Sequence, residues 1–241
     1  DDFVVVEDGV RQQITNIALH KDLPVRLGIV LDTSGSMEET LASVQRVVMG
    51  FLRDLLRPRD RAFIETFSDR PDLTTSFTAD FQTLENALLS LFADRATALY
   101  DSIITGLFQF SGVRGRRALI VVTDGEDTAS EHTFAEALDY AQRAGVTIYT
   151  IGIDLPASKV MTRYQLNRLA RATGGRAFFL PREGDLESEY EIINRELRTQ
   201  YLLAYTSTSE RPPDELRTVE VKVERPRVKV RTISGYYPRS F

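Results

Sequence analysis

Oxygen-bearing side chains follow directly after an apolar, strand-like run near the start of the chain. Residues 27–37 read LGIVLDTSGSM, so that Asp32, Ser34 and Ser36 stand at alternate positions behind the run. In an extended loop, alternate side chains point to the same side and can converge on one point. Carboxylate and hydroxyl oxygens are the ligands that hard divalent cations prefer, and this stretch therefore predicts a cation site.

Two later segments are expected to bring further oxygen ligands to the same place. The apolar run RALIVVTD ends in Asp124, and ATALYD places Thr97 in a loop before a helix. Ligands of open α/β sheets lie in the crevice outside the carboxyl ends of the strands, where all these side chains should meet. Two carboxylates, three hydroxyls and water make an octahedral oxygen site, which suits Mg²⁺ or Mn²⁺ better than Ca²⁺.

Each of these residues also has a simpler interpretation. The DTSG stretch can cap the helix predicted at 38–56, and Thr97 can cap the helix that follows it. Asp101 could hydrogen-bond the site loop or only interact with the first turn of its helix. Glu126 and Asp127 could support the ligands from a second layer or belong to a solvated loop.

Alternating strand and helix patterns from Val25 onward predict an α/β fold with a doubly wound, mostly parallel six-stranded sheet. The connection SDRPD is too short for a crossover, so one edge strand should be antiparallel. Strands are predicted at 27–31, 62–67, 73–77, 117–124, 146–153 and 176–180, and helices at 38–56, 81–92, 99–110, 134–144 and 186–199, with another helix ending at Gly174-Gly175.

The two ends of the chain have a different pattern, typical of antiparallel strands with one wet face. FVVVEDGVRQQI reads as a hairpin, and YLLAYT, TVEVKVE and RVKVRTI read as three strands. We expect both ends to form one small antiparallel β module. The predicted divisions are 1–23 for its first part, 24–200 for the α/β domain and 201–241 for its second part.

The set of candidate ligands resembles the metal-ion-dependent adhesion site of von Willebrand factor type A (VWA) domains. That site combines Asp-x-Ser-x-Ser, a distant threonine and an aspartate after a later strand, here Asp32, Ser34, Ser36, Thr97 and Asp124. The resemblance covers about residues 24–200. It implies that the hydroxyls bind the metal directly and the two aspartates partly through water, leaving one coordination position for an Asp or Glu of a partner protein.

The flanks also resemble the VWFA-related proteins of Acidobacteria, through the opening DFVVVEDGVRQQI, the TDGEDTAS stretch and the closing LRTQYLLAYTSTS. Many relatives have glycines where this chain has Arg95-Ala96, so a guanidinium could alter access to the site. The resemblance implies an extracytoplasmic location, whether secreted, periplasmic or cell-surface. No signal segment is recognised in the sequence.

Composition excludes several other classes of function. The chain of 241 residues has no cysteine and only two histidines, which excludes thiolate sites and makes a histidine metal site improbable. The net charge is −5, and the sequence shows no concentration of basic residues that would form a nucleic-acid surface. The chain also has no apolar run of transmembrane length. We therefore expect a metal-dependent protein-binding module.

Two other functions stay open from the sequence. One is a structural VWA domain whose metal site only stabilises the loops or is vestigial. The other is a hydrolase with Asp32 or Ser34 as the nucleophile, but the sequence lacks a phosphate-binding loop, a second phosphatase aspartate, GxSxG and a histidine placed to act as base. We expect no enzymatic activity.

Overall fold

The computed structural model describes residues 2–19, 23–93, 96–181 and 186–238, in which strands and helices alternate through the middle of the chain. The strands are β1 (Phe3–Glu7), β2 (Val10–Gln12), β3 (Ile14–Leu19), β4 (Val25–Asp32), β5 (Arg61–Phe67), β6 (Pro71–Thr78), β7 (Arg116–Thr123), β8 (Thr147–Ile153), β9 (Ala177–Leu180), β10 (Tyr201–Tyr205), β11 (Arg217–Val223) and β12 (Gly235–Tyr236). The helices are α1 (Glu38–Leu55), α2 (Phe81–Leu89), α3 (Leu99–Phe108), α4 (Phe134–Ala144), α5 (Val160–Ala172) and α6 (Leu186–Arg198).

The main sheet has the strand order β6-β5-β4-β7-β8-β9. All neighbouring strands are parallel except β5 and β6, which confirms the predicted sheet and its antiparallel edge. Helices α1, α2 and α6 pack on one face, and α3, α4 and α5 pack on the other. Because both faces are covered, the interiors of β4 and β7, LGIVL and ALIVV, are entirely apolar, as buried parallel strands are.

Strands β4 and β7 are neighbours in the sheet, and the chain continues from them toward opposite edges of the sheet. The chain leaves β4 through α1 toward β5, and it leaves β7 through α4 toward β8, so the two connecting helices lie on opposite faces. The carboxyl ends of β4 and β7 therefore flank the crevice in which open α/β sheets bind ligands. Asp32 and Asp124 stand at these two ends.

Close packing in the sheet interior requires glycine at one position of β4. A Cβ atom on Gly28 would lie 2.3 Å from Cζ of Phe63 and 2.6 Å from Cδ1 of Leu119. These side chains belong to the neighbouring strands β5 and β7, so neither can move away without disturbing the core. Gly28 thus allows the aromatic packing behind the crevice.

A buried acid lies in the middle of β5. Glu65 is fully buried, and neither carboxyl oxygen has a hydrogen-bond partner among the described residues. Burial raises the pKa of Glu65 to about 8, and the negative charge of Asp72 adds to the rise. The side chain is therefore protonated at neutral pH.

A second buried carboxylate, Asp60, joins three parts of the main domain. It accepts hydrogen bonds from the amide of Val25 at 2.7 Å, the amide of Arg57 at 2.9 Å and the guanidinium of Arg198 at 2.5 Å. Burial acts to raise the pKa of Asp60, but the bonds from Arg198 and the two amides outweigh it and hold the pKa below its ordinary value. Asp60 thereby fixes the end of α6 to the start of β4.

The two ends of the chain pair with each other, as predicted. Strands β12, β11, β1 and β2 form a four-stranded antiparallel sheet, and β10 pairs with β3 in a second, two-stranded one. In the β1–β2 turn, Asp8 and Gly9 have φ angles of 48° and 83°, the pattern of a tight type I′ hairpin. The β module is thus built from the segments that precede and follow the main domain in the sequence.

The prediction that RVKVRTI forms a strand is wrong. After β12 pairs with Arg217 and Thr218, one more bond joins the amide of Val219 to the carbonyl of Ser234. The amide of Ser234 then bonds to the carbonyl of Ala172 at 3.0 Å, and Ile233 bridges to Thr173. These bonds hold residues 229–234 against the end of α5 instead of alongside β11.

Candidate metal centre

Asp32 is the last residue of β4 and is completely buried. Its Oδ1 accepts a hydrogen bond from the amide of Ser34 at 2.8 Å, and its Oδ2 accepts one from the hydroxyl of Thr123 at 2.5 Å. The first bond folds the loop sharply behind the strand, and the second ties that loop to the end of β7. Asp32 therefore organises the site from beneath.

The hydroxyl and carboxyl groups above Asp32 form a short chain of oxygen atoms. Oγ of Ser34 lies 3.2 Å from Oγ of Ser36, which donates a hydrogen bond to Oδ1 of Asp124 at 2.8 Å. Neighbouring ligands of an octahedral Mg²⁺ ion are about 2.9 Å apart, since the metal–oxygen distance is 2.0 to 2.1 Å. The spacing of these three oxygens fits such an ion.

Thr97 lies beside the loop that follows β7 and carries Asp124. Its carbonyl accepts hydrogen bonds from the amides of Thr128 and Ala129, and its amide donates to the hydroxyl of Thr128 at 3.2 Å. A Cβ atom on Gly125 would lie 3.8 Å from Oγ1 of Thr97, which puts this hydroxyl next to the residue that follows Asp124. The structure therefore brings all five predicted ligands to one edge of the sheet.

The electrostatics of the cluster favour a cation. Burial raises the pKa of Asp32 to about 6; hydrogen bonds from Ser34 and Thr123 oppose this rise, and the negative charge of Asp124 adds to it. The two carboxylates are thus close enough for the charge of Asp124 to act on Asp32. Because the donors are all oxygen and the distances of 3.2 and 2.8 Å between neighbours are close to the ligand spacing of Mg²⁺, the residues fit a hard divalent cation.

The three predicted supporting residues have different partners. Asp101 accepts hydrogen bonds from the amides of Glu131 and His132 and lies 2.8 Å from Nδ1 of His132, so it fastens α3 to the loop after Asp124. Glu126 is exposed and forms an ion pair with Lys159 at 3.2 Å.

The side chain of Asp127 hydrogen-bonds the first turn of α3. Its Oδ1 accepts hydrogen bonds from the hydroxyl of Ser130 at 2.5 Å and the amide of Tyr100 at 3.2 Å, which satisfies a free amide of the first turn. In the part of the chain that the structure describes, the contacts of Asp101, Glu126 and Asp127 shape the loops around the cluster rather than reach its oxygens.

Sequence reasoning missed two threonines that hold the site together. Thr123 donates to Asp32 and accepts a hydrogen bond from the amide of Gly125 at 3.2 Å, so it joins the two site loops. Thr33 donates from its amide and its hydroxyl to the carbonyl of Phe67, which ties the β4 loop to β5. Thr33 directly follows β4 and Thr123 ends β7, so a threonine at the carboxyl end of both buried strands was the available signal.

Arg95, which was predicted to modify access to the site, lies outside the described residues.

The sequence identifies the family once this geometry is known. The family model described as von Willebrand factor type A domain matches residues 27–191, about two thirds of the chain. The chain belongs to the VWA domain family. The matched region contains the whole oxygen cluster and all of the main sheet except the first two residues of β4, while the β module lies outside it. The narrower likeness to the acidobacterial VWFA-related group stays a prediction.

Solved VWA structures share the fold at low sequence identity. The conserved hypothetical protein BatB from Bacteroides thetaiotaomicron is similar over 72% of this chain and 97% of its own, with a TM-score of 0.59 and 19% identity. The vWF domain of a type V pili tip protein from Porphyromonas gingivalis is similar over 73% and 95%, with a TM-score of 0.61 and 15% identity. A von Willebrand factor type A protein from Catenulispora acidiphila is similar over 78% of this chain and 51% of its own, with a TM-score of 0.62 and 16% identity.

Three findings of absence complete the description, and the last of them concerns the site. No curated protein matches the chain by sequence. Within the described ranges, no helix has the length and apolar character needed to cross a membrane. The same residues contain no group of three or more His, Cys, Asp or Glu side chains arranged for a metal. A metal centre in this region therefore depends on hydroxyl ligands together with the two aspartates.

Proposed function

We propose that this VWA domain is a protein-binding module that uses a divalent cation to capture an acidic side chain of a partner. The observation that carries the proposal is the chain of oxygens from Ser34 through Ser36 to Asp124, at the point where the strand order reverses. Mg²⁺ is the expected ion, with Mn²⁺ or Ca²⁺ as alternatives. Ser34, Ser36, Thr97 and Asp124 would hold it, above Asp32.

The ligand set explains why a carboxylate would be attracted. Ser34, Ser36 and Thr97 offer neutral hydroxyls, and both oxygens of Asp32 already accept hydrogen bonds from the protein. Among these groups Asp124 then gives the cation its main negative charge, so a divalent ion would keep a net positive charge for an external acid. Ser36 is exposed and Asp124 is partly exposed, so a partner can approach from this side.

The structural relatives support a role at the cell surface. One similar domain belongs to a pilus tip protein, and another relative is described as an aerotolerance-related membrane protein. These likenesses establish the fold, and we extend them to this chain as a proposal: an extracytoplasmic module that recognises another protein.

Linkage between metal and carboxylate provides the test. Mg²⁺ binding is measured by calorimetry with and without glutarate, and glutaramide serves as the neutral control of the same shape. We expect glutarate to raise the affinity for Mg²⁺ and Mg²⁺ to raise the affinity for glutarate by the same factor, because the coupling is reciprocal. Glutaramide should have no effect, and EDTA should abolish glutarate binding.

Variants connect this result to the site. Ser36→Ala should weaken Mg²⁺ binding by about tenfold or more, and Asp32→Ala should abolish it, because each removes part of the ligand support. Ser76→Ala, on the exposed face of β6, is the matched control and should bind as the unaltered protein does. Mg²⁺ binding that raises the melting temperature but ignores glutarate would instead favour a structural role for the site.

A further inference from the structure

A groove separates the β module from the main domain on the side away from the metal centre. Its volume is about 700 Å³, within the range of small-molecule sites. The walls are the end of α5, the start of β9, the middle of β11 and residues 229–234. Since the groove lies at the amino end of β9, it is at the opposite edge of the main sheet from Asp32.

The groove is strongly positive. Of the described residues, four basic side chains line it from three separate segments, against one acid, Glu220; the four are Arg171, Arg176, Lys229 and Arg231. Arg231 forms an ion pair with Glu196, and the guanidinium of Arg176 lies 4.8 Å above the ring of Phe178. Among the described residues, no carboxylate lies within ion-pair distance of Arg171, Arg176 or Lys229, which leaves their charges available.

The wall formed by β11 also offers hydrogen-bonding groups. Thr218 and Glu224 bond to the ends of β1, and because alternate residues of an antiparallel strand face the same neighbour, the main-chain groups of Val221 face away from β1. A continued hairpin would pair Val221 with Thr232, but residues 229–234 are held on α5. Within the described ranges, the amide of Val221 therefore has no main-chain partner.

We propose that this groove binds a small polyanion, about the size of a disaccharide, which carries at least two carboxylate or phosphoryl groups. Three basic side chains with no acidic partner among the described residues supply the charge, and the groove-facing edge of β11 supplies donors and acceptors for neutral oxygens of the ligand. The proposal does not depend on the metal centre, because the two sites share no residue.

Two probes distinguish carboxylate from phosphoryl recognition: digalacturonate and tripolyphosphate, each titrated by calorimetry in EDTA with maltose as the uncharged control. We expect at least one anion to bind, more weakly as salt is raised, and maltose not to bind. The anion that binds assigns the class of ligand. Failure of both anions at concentrations up to about 10 mM overturns the proposal.

Charge variants locate the binding. Arg171→Ala with Lys229→Ala should weaken it by more than about tenfold, because two charged contacts are lost. Arg46→Ala with Arg59→Ala removes the same net charge from exposed positions outside the groove and should change affinity little. Glu220→Gln should strengthen binding, an effect that loss of structure would not produce. Equal affinity in the groove and control variants contradicts the proposal.

Hydrogen exchange tests the alternative that the chain closes the groove itself. The amide of Val221 should exchange quickly in the free protein and slowly with the bound anion. Strong protection of Val221 without an anion would mean that residues 229–234 pair with β11 in solution, and the groove proposal would then be wrong.

Discussion

Replacing Glu65 by glutamine tests the protonation of the acid buried in β5. The pKa of Glu65 rises from its ordinary 4.5 to about 8 in the folded protein, because burial penalises the charged form. Below pH 4.5 the side chain is neutral in both states. Between pH 4.5 and about 8 the unfolded chain releases the proton while the folded protein keeps it, so stability falls as pH rises.

The size of the effect follows from this window. Each pH unit between the two pKa values corresponds to about 1.36 kcal/mol, so the native state loses about 5 kcal/mol from pH 4.5 to pH 8. Glutamine has no proton to lose, so Glu65→Gln should escape this loss. Any constant cost of burying the amide cancels when the difference between the two proteins is followed with pH.

Urea unfolding followed by circular dichroism, in EDTA at several pH values from 4.5 to 9, measures the difference. The unfolding free energy of Glu65→Gln relative to the unaltered protein should rise through this range by an amount on the order of 5 kcal/mol. Glu215→Gln, at an exposed position in the turn before β11, is the matched control and should show a flat difference. A flat difference for Glu65→Gln as well would refute the reasoning.

Two other substitutions test the packing and the polar anchor of the main domain. Gly28→Ala should destabilise the protein by about 2 kcal/mol or more because its Cβ would overlap Phe63 and Leu119, whereas Gly50→Ala, which has open space and lies in α1, should stabilise it by about 0.5 to 1 kcal/mol. Thermal and urea unfolding of both variants check the opposite signs, and equal shifts would speak against the steric argument. Asp60→Asn should cost about 3 kcal/mol at neutral pH by breaking the buried pair with Arg198. Because the pKa of Asp60 is lowered on folding, its stabilisation is present above pH 3.8 and disappears as pH falls through the folded pKa, so the difference between the two proteins should shrink in acid; a difference independent of pH would exclude the ionised pair as its source.

The main sheet was predictable because its signals are local. Apolar runs such as the one ending at Asp32 and the repeated spacing in α1 identify buried strands and amphipathic helices without knowledge of their neighbours. Parallel strands then place their carboxyl ends at one edge, which was enough to expect Asp32 and Asp124 together. The ends of the elements moved by only a few residues, as for the strand predicted at 27–31 and found at Val25–Asp32.

The parts that sequence could not supply depend on distant contacts. RVKVRTI alternates apolar and polar residues as a strand does, but bonds from Ile233 and Ser234 to the end of α5 decide where it lies. RAFIETF reads as an ordinary strand, and only the folded structure shows that Glu65 is buried with no hydrogen-bond partner among the described residues. The role of Thr123 depends likewise on Asp32, which is remote in sequence.

The pairing of the chain ends sets how a pulling force would travel through the molecule. Phe3 pairs with Val223 at one end of the four-stranded sheet, and Tyr236 pairs with Arg217 at the other. Tension applied at residues 2 and 238 would therefore act along the strand axes and load the bonds of β1, β11 and β12 together. The inserted domain stays outside this path, so the sheet edge that carries Asp32 and Asp124 can keep its shape while the molecule is stretched.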